Sequence, residues 1–257
     1  MTTREVFQLI IENFNKRALS ELKGRCEEMP FDPINEEIYT VTTALLARQV
    51  TLGIQFASAP QIWNNHSAPL FFRSMADVHI TLEWIGAEPS SRAKDYIEHG
   101  LGQSKLQIEH LKKALEEEPR NDSLRKMIEA ETEWINGQHL SALINVNVGS
   151  WTGKSIRQMA DEVGILDFYN FVYMPFSQCT HSTWSHVGRY NVRRSNSPLH
   201  CYRFLPDVLE QSSNIEELIL CAKYLDKTCN FFDIKMLKSE PRSNLRQWII
   251  SEISKNF

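Results

Sequence analysis

Five side chains in the second half of the chain recur at the spacing of one helical face and carry groups that can do chemistry. Successive members are separated by 3, 4, 4 and 3 residues, which places them on one side of a helix beginning at Asp167. Pro175 lies within the run and predicts a kink or a fresh helix start. An amide, a phenol, a hydroxyl, an imidazole and an indole together predict a pocket wall, formed by Asn170, Tyr173, Ser177, His181 and Trp184.

His181 is the member of this face that titrates near neutral pH, so it is the candidate general acid or base. Its best candidate partner is Arg73, which lies on an earlier helix one turn before Asp77. An arginine held by an acid in this way is either a structural ion pair or a phosphate-binding fork, and the residues alone leave both open. The alternative for His181 is a satisfied polar pair with Ser177 inside a helical bundle.

These residues belong to an ordered set of motifs that runs over roughly residues 40 to 190. The set resembles a bacterial family of helical proteins known only as a domain of unknown function. Members of that family typically carry Glu where this chain has Asp77, which has the shorter reach. The first motif is an Arg-x-x-x-acid helix, here Arg73 to Asp77 followed by Leu82-Glu-Trp84. The second is a Trp-x-Gly-Lys-Ser turn, here Trp151 to Ser155. The third is a Tyr…Ser-x-x-x-His helix, here Tyr169 with Tyr173 and then Ser177 to His181.

More distantly, that family resembles the higher-eukaryote-and-prokaryote nucleotide-binding (HEPN) helical fold. The resemblance implies a ribonuclease of a toxin–antitoxin, abortive-infection or CRISPR-linked defence system. It also implies a homodimer with its site near the interface, and an antitoxin or another defence protein as partner. The hallmark of the fold is an Arg four to six residues from a His. Arg73 with His79, and Arg194 with His200, have this spacing, but the first pair would lie about 120° apart on a helix and the second spans Pro198.

What the resemblance implies, then, is a metal-independent ribonuclease. His181 would act as general base on the ribose 2′-hydroxyl or as general acid on the leaving oxygen. Arg73 would stabilise charge on the phosphate, while Tyr173 and Ser177 orient the phosphate or the imidazole and Asp77 supports Arg73. RNA would bind by charge and stacking to a basic run with interleaved tyrosines, namely Arg189, Arg193 and Arg194 with Tyr190 and Tyr202. The same run also has the composition of a polar surface loop.

A function of a different class stays open. The chain would then be a non-catalytic helical module that binds a partner protein or a small ligand, with a charged helical hairpin as the binding surface. In that case four of the same residues form a buried polar network that holds the bundle together: Arg73, Asp77, Ser177 and His181.

Spacing argues against two other kinds of site. Gly153-Lys154-Ser155 lacks the earlier glycine of a phosphate-binding loop, because position 148 is Val, and Thr152 or Ser155 is instead the expected cap of the next helix. The cysteines and histidines between 179 and 201 match no closed zinc site; they are Cys179, His181, His186, His200 and Cys201. We therefore predict no metal and no cofactor.

Apolar residues at helical spacing predict the elements that position these groups. The fold class is all-α, a helical bundle with a long charged helical hairpin and a C-terminal helical extension. We predict one domain over 1–257, with its core at about 35–190, the hairpin inserted at about 91–137 and the extension at about 201–257.

The predicted helices cover about 5–26, 35–60, 67–86, 91–118, 121–137, 154–163, a stretch from 167 onwards, 215–232 and 243–253. Residues 191–200 have the composition of a loop. Residues 143–149 alternate apolar and polar types, but too briefly to establish a strand.

The composition is that of an ordinary globular protein, with 42% hydrophobic and 23% charged residues among 257. A net charge of −4 argues against a protein that coats nucleic acid, but it is compatible with a local basic patch. The chain has no run of 18 apolar residues and no secretory signal at its start, so we expect a cytoplasmic protein without a membrane anchor. The five cysteines lack a Cys-x-x-Cys pair and are expected to be reduced thiols.

Overall fold

Helices account for most of the residues that the computed structural model describes, which are 3–138, 152–199, 204–208 and 212–256. They confirm the predicted all-α class. None of the described helices is both long enough and apolar enough to cross a membrane. In chain order the helices are α1 (Thr3–Glu28), α2 (Glu36–Ala57), α3 (Ala68–Ala87), α4 (Pro89–Glu117), α5 (Asp122–Asn136), α6 (Ile156–Glu162), α7 (Leu166–Phe168), α8 (Met174–Thr180), α9 (Trp184–Tyr190), α10 (Ile215–Phe232) and α11 (Leu245–Asn256).

A short antiparallel ribbon follows α9 and corrects the loop predicted for 191–200. Its strands are β1 (Val192–Arg194) and β2 (Phe204–Pro206), and Arg193 lies opposite Leu205. Strands of three residues are too short to produce a periodic signal in the sequence, which is why the pattern does not predict them. The alternating segment 143–149 lies outside the described residues.

The core forms where α2, α3 and α10 pack together, with α1 against α2. Burying a large apolar side chain contributes about 1.5–3 kcal/mol. α3 supplies four buried ones at spacings of three and four residues, Met75, Val78, Leu82 and Ile85. Fully buried aromatic rings from all four helices meet in this core: Phe14, Phe56, Phe72 and Phe232.

α10 lies within this core and not at its edge. Leu218, Leu225 and Phe232 recur every seven residues and are buried. A Cβ on Gly53 of α2 would lie 2.6 Å from Cδ1 of Leu225, so the glycine is what allows the two helices to approach so closely. The core therefore extends on both sides of the predicted range 35–190, because α1 and α10 cover apolar faces of α2 and α3.

A buried ion pair joins the end of α1 to the end of α10. Arg25 Nη2 donates a hydrogen bond to Asp233 Oδ2 at 2.7 Å, and both side chains are buried. Arg242 donates to the same carboxylate from its backbone N–H at 3.1 Å and from Nη2 at 3.0 Å. A buried charge is tolerated only when it is paired and hydrogen-bonded, and this carboxylate is both.

The predicted charged hairpin is confirmed as α4 and α5, which pack against each other. Its own small core contains Leu101, Ile108 and Ile135. Met127 and Trp134 remain exposed on α5. α5 therefore presents two large apolar side chains to solvent among its charged residues.

Pro175 predicts a kink or a fresh helix start, and the structure shows a change of helix type just before it. Residues Tyr169–Tyr173 form a π-helical turn, and α8 begins at Met174 with Pro175 in its first turn. Proline has no N–H to donate to the carbonyl of Phe171, so a regular helix cannot continue through this point. The turn instead re-aims the side chains on either side of it.

The prediction of one continuous pocket face is wrong beyond His181. α8 ends at Thr180, Ser182 adopts a φ of +47°, and α9 begins in a new direction at Trp184. Trp184 therefore does not share a helix with Ser177, and His181 is the residue at which α8 ends. No glycine or proline marks the break, which is why helical spacing appears to continue across it.

Candidate functional site

Arg73 of α3 reaches across to the π-helical turn and α8, where every nitrogen of its guanidinium has a partner. Nε donates to Ser177 Oγ at 2.6 Å, Nη1 donates to Asp77 Oδ2, and Nη2 donates to the Tyr173 hydroxyl. The guanidinium carbon also lies 3.4 Å from the centroid of the Tyr173 ring. We call these four residues the Arg73 network.

Burial governs the charges in this network. It lowers the pKa of Arg73 and raises the pKa of the Tyr173 hydroxyl, and each group partly offsets the shift of the other. Only 14% of the Arg73 side chain is exposed, and Tyr169 stacks on Tyr173 with ring centroids 4.9 Å apart. The predicted contact between Arg73 and Asp77 is confirmed, and the geometry favours the structural ion pair over an open phosphate fork.

His181 lies outside the Arg73 network. It follows the last residue of α8, its backbone N–H bonds to the Ser177 carbonyl at 3.0 Å, and its side chain is exposed. Within the described ranges, its imidazole makes no hydrogen bond or ring contact. The structure thus unites Arg73, Asp77, Tyr173 and Ser177, and it leaves His181 in solvent.

We expect Arg73→Met to lower the free energy of unfolding by about 1–3 kcal/mol, because it leaves the partly buried hydroxyls of Tyr173 and Ser177 without their donor. Urea unfolding measures this change. Ser74→Ala is the control from the next position on α3, and it should stay within about 0.5 kcal/mol of wild type. A fully stable Arg73→Met variant would contradict the structural assignment.

A second cluster, absent from the predicted site, brings two imidazoles together. The rings of His66 and His186 meet edge to face with centroids 5.5 Å apart. Tyr190 contacts both, at 5.3 Å from His66 and 4.9 Å from His186. Arg189 lies on the same face of α9, since positions 186, 189 and 190 are three and four residues apart.

The loop before α3 fixes the position of His66. The Asn64 side-chain oxygen accepts the backbone N–H groups of His66 and Ser67, each at 3.0 Å. The Cys179 thiol of α8 donates to the His66 carbonyl at 3.2 Å. These bonds hold the loop at both the start of α3 and the surface of α8.

Gln178 fixes the direction of α9 in a similar way. Its side-chain oxygen accepts hydrogen bonds from the hydroxyls of Thr183 and Ser185, the second at 2.8 Å. Its backbone carbonyl accepts the Thr183 N–H at 3.0 Å. The turn between α8 and α9 is therefore braced, and His186 is carried in the first turn of the braced helix.

An open cavity of about 440 Å³ lies beside this cluster, between the start of α3, α8 and α9. We call it the α8–α9 cavity. Pro69 lines it and lies one helical turn before Arg73, but none of the four residues of the Arg73 network lines the cavity itself. The other lining residues are Asn65, Met174, Pro175, Phe176, Gln178, Cys179, Ser185, His186, Arg189 and Tyr190.

The electrostatics of the cavity suit an anion and a base. Burial and the neighbouring His66 lower the pKa of His186 from its usual 6.5, so its imidazole is neutral at neutral pH. Arg189 is exposed at the cavity and has no ion-pair partner in the part of the chain that is described. The cavity thus combines an uncharged imidazole with a fixed positive charge.

The other predicted RNA-binding arginines lie on β1, beyond α9. Arg193 forms an ion pair with Asp207 at 3.4 Å, and Arg194 is exposed. Of the predicted trio, Arg189 is the residue that lines the cavity. Tyr202 lies outside the described residues, as do Trp151, His200 and Cys201.

The remaining motifs have structural roles. Ser155 caps α6 in a capping box with Gln158, which confirms the predicted cap. Lys154 binds Glu162, and this bond is the largest cause that lowers the pKa of Glu162, to about 2. His79 is fully buried, its pKa falls to about 3, and it faces Thr228 at 3.3 Å. Within the described ranges, no group of three or more His, Cys, Asp or Glu side chains could hold a metal ion.

Sequence reasoning misses His66 because a single histidine in a loop has no periodic context. One signal is present: Asn64 two residues before it is the type that bonds to its own following backbone. His186 enters the sequence argument only as a possible zinc ligand. Its pairing with a residue 120 positions earlier depends on the fold.

Comparison with known proteins gives one match. The model of a family of unknown function, DUF5677, matches residues 39–198. No curated protein matches the chain, and neither does any solved structure.

Proposed function

The chain belongs to DUF5677, a family of unknown function, and we propose that this member is a metal-independent ribonuclease whose acid–base groups are the imidazoles of His66 and His186. The observation that supports this most strongly is the contact of the two rings at 5.5 Å beside Arg189, at the open α8–α9 cavity. Histidines are the side chains best matched to proton transfer near neutral pH.

Cleavage of RNA by its own 2′-hydroxyl needs a base, an acid and a positive charge. The neutral imidazole of His186 takes the 2′-hydroxyl proton as the 2′-oxygen forms a bond to phosphorus. The bond from phosphorus to the 5′-oxygen breaks, and the protonated imidazole of His66 gives its proton to that oxygen. The products are a 2′,3′-cyclic phosphate and a 5′-hydroxyl. Arg189 stabilises the charge on the phosphate oxygens.

The Arg73 network acts in this mechanism as a positioning element. It locks α3 to α8, and these helices hold Cys179 and the loop of His66 in place. The sequence predicts the acid–base role for His181 and the phosphate contact for Arg73. Those roles stay predictions, as do the HEPN resemblance, the homodimer, the defence or antitoxin partner and the cytoplasmic location.

A second candidate function, a non-catalytic binding module, has its own support. All three guanidinium nitrogens of Arg73 are satisfied within the protein, as expected for a structural network. Met127 and Trp134 are exposed on the hairpin and offer an apolar contact surface. This candidate predicts a stable protein that binds a partner and leaves RNA intact.

We expect the protein to cleave a single-stranded RNA oligonucleotide in the presence of a chelator. The same oligonucleotide with a 2′-deoxyribose at every position is the control and should stay intact, because it lacks the attacking hydroxyl. Mass spectrometry of the fragments should show 2′,3′-cyclic phosphate ends. Intact RNA after incubation with folded protein would overturn the ribonuclease proposal and favour the binding module.

A further inference from the structure

We infer that the substrate of this site is single-stranded RNA and that one unpaired base stacks on Phe171, along a wall that leads through Met174 into the α8–α9 cavity. This inference rests on the proposed ribonuclease function and adds its substrate class. It assigns Phe171 and Met174 to substrate binding.

The side chain of Phe171 is largely exposed to solvent. Its exposed fraction is 78%, and that of Met174, one turn further along, is 44%. Two side chains of the π-helical turn point in different directions. Tyr173 points inward to Arg73, whereas Phe171 points to solvent. Single turns of π-helix of this kind occur frequently at functional sites.

The exposed ring is close to the cavity along the chain. Phe171 comes three residues before Met174 in the same helical segment, and Met174 lines the cavity together with Pro175 and Gln178. A bound RNA strand would pass from the ring of Phe171 over the thioether of Met174 to His186. Arg189 stands at the same cavity and would hold the phosphate of that chain.

The charge of Arg189 and the exposed ring of Phe171 together indicate what binds along this wall. An exposed apolar face beside an arginine fits a strand that presents flat bases and a negative backbone. Base stacking on an aromatic side chain requires an unpaired base. Paired bases in a duplex are stacked on each other, and the deep major groove of duplex RNA is closed to side chains. Single-stranded RNA therefore fits this wall, and duplex RNA does not.

Trp184 supplies a matched control. It is also an exposed aromatic residue, at 72%, but its indole lies against Gly188, where a Cβ would be 3.2 Å from Trp184 Cε2. Positions 184 and 188 form one side of α9, and His186 lies about 200° away from Trp184 on the helix. Trp184 thus faces away from the cavity.

The experiment measures binding without cleavage. A fluorescent oligonucleotide with 2′-O-methyl riboses cannot be cut, and its fluorescence anisotropy reports affinity as a single strand and after annealing to its complement. We expect the single strand to bind at least about tenfold more tightly than the duplex. Phe171→Ala should weaken single-strand binding by about tenfold, Phe171→Trp should restore it, and Trp184→Ala should leave it within about twofold.

The outcomes separate this inference from the proposed function. If the single strand binds and Phe171→Ala weakens it, the stacking site stands even when unmodified RNA is not cleaved. If RNA is cleaved but Phe171→Ala binds as wild type does, the stacking site is overturned and the ribonuclease proposal survives. The stacking site would also be overturned if Trp184→Ala lost as much affinity for the single strand as Phe171→Ala does. The same holds if the duplex binds as tightly as the single strand, or if neither form binds. Loss of an exposed ring should leave the melting temperature unchanged, so each variant remains measurable.

Discussion

His186→Gln is expected to lower the rate of RNA cleavage by about 100- to 10,000-fold, which is the range for loss of a general base. Glutamine keeps a polar side chain of similar length, but it does not accept a proton near neutral pH. Its contacts with His66 and Tyr190 are largely of packing type, so the variant should fold normally. Initial rates on a single-stranded RNA, with the melting temperature recorded for each protein, measure the effect.

Two further histidine variants make this result interpretable. His110→Gln changes an exposed histidine on the hairpin and should keep the wild-type rate. His181→Gln tests the residue that the sequence argument selects. If His181→Gln abolishes cleavage while His186→Gln preserves it, the acid–base assignment returns to His181 and the paired-histidine mechanism fails.

The pH dependence of the wild-type rate is a second readout of the same mechanism. Because burial and the neighbouring His66 lower the pKa of His186, its imidazole stays neutral at pH values above 6.5. The acid limb of the rate profile should therefore lie below pH 6.5, where His186 becomes protonated and can no longer act as the base. A rate that rises steadily as the pH falls through 5 would contradict a neutral base.

Asp233→Ala is expected to lower the free energy of unfolding by about 3–5 kcal/mol, since it leaves Arg25 buried without its main partner. Arg25 would keep only Glu21, through its carbonyl at 3.0 Å and its carboxylate at 3.3 Å. At about 2–4 °C per kcal/mol, the melting temperature should fall by roughly 6–20 °C. Urea unfolding followed by circular dichroism gives the free energy.

The controls for this variant come from the same network. Glu28 pairs with Arg242 at 2.8 Å on the surface, so Glu28→Ala should cost under about 1 kcal/mol. Asp233→Asn keeps one acceptor and should fold well enough to be measured if the alanine variant does not. Stability of Asp233→Ala within about 1 kcal/mol of wild type would show that the buried pair is not needed.

The helices could be predicted because their apolar residues repeat at three and four positions. On α3 that pattern identifies the stripe from Met75 to Ile85, and the spacing of Arg73 and Asp77 identifies a contact that forms. Prediction from helical spacing assumes one continuous helix, and it fails where the helix ends. Ser182 leaves the helix through a positive φ that no glycine announces, so Trp184 is predicted on a face it does not share.

Contacts between distant parts of the chain could not be predicted in this way. An amphipathic stripe on α10 indicates that something covers it, but not that α2 and α3 do. His66 and His186 meet because Asn64, Cys179 and Gln178 fix two loops against α8. Each of these bonds depends on where both partners lie in the folded protein, and those positions cannot be read from the order of the residues.

The pairing of Arg25 with Asp233 also has a consequence for the growing chain. The two residues are 208 positions apart, so Arg25 leaves the ribosome long before its acceptor is synthesised. α10, which covers the apolar faces of α2 and α3, emerges just ahead of Asp233. We therefore expect the nascent chain to carry those faces uncovered through most of translation and to close the bundle late. Such a chain is a natural client for a chaperone that shields apolar helices near the ribosome.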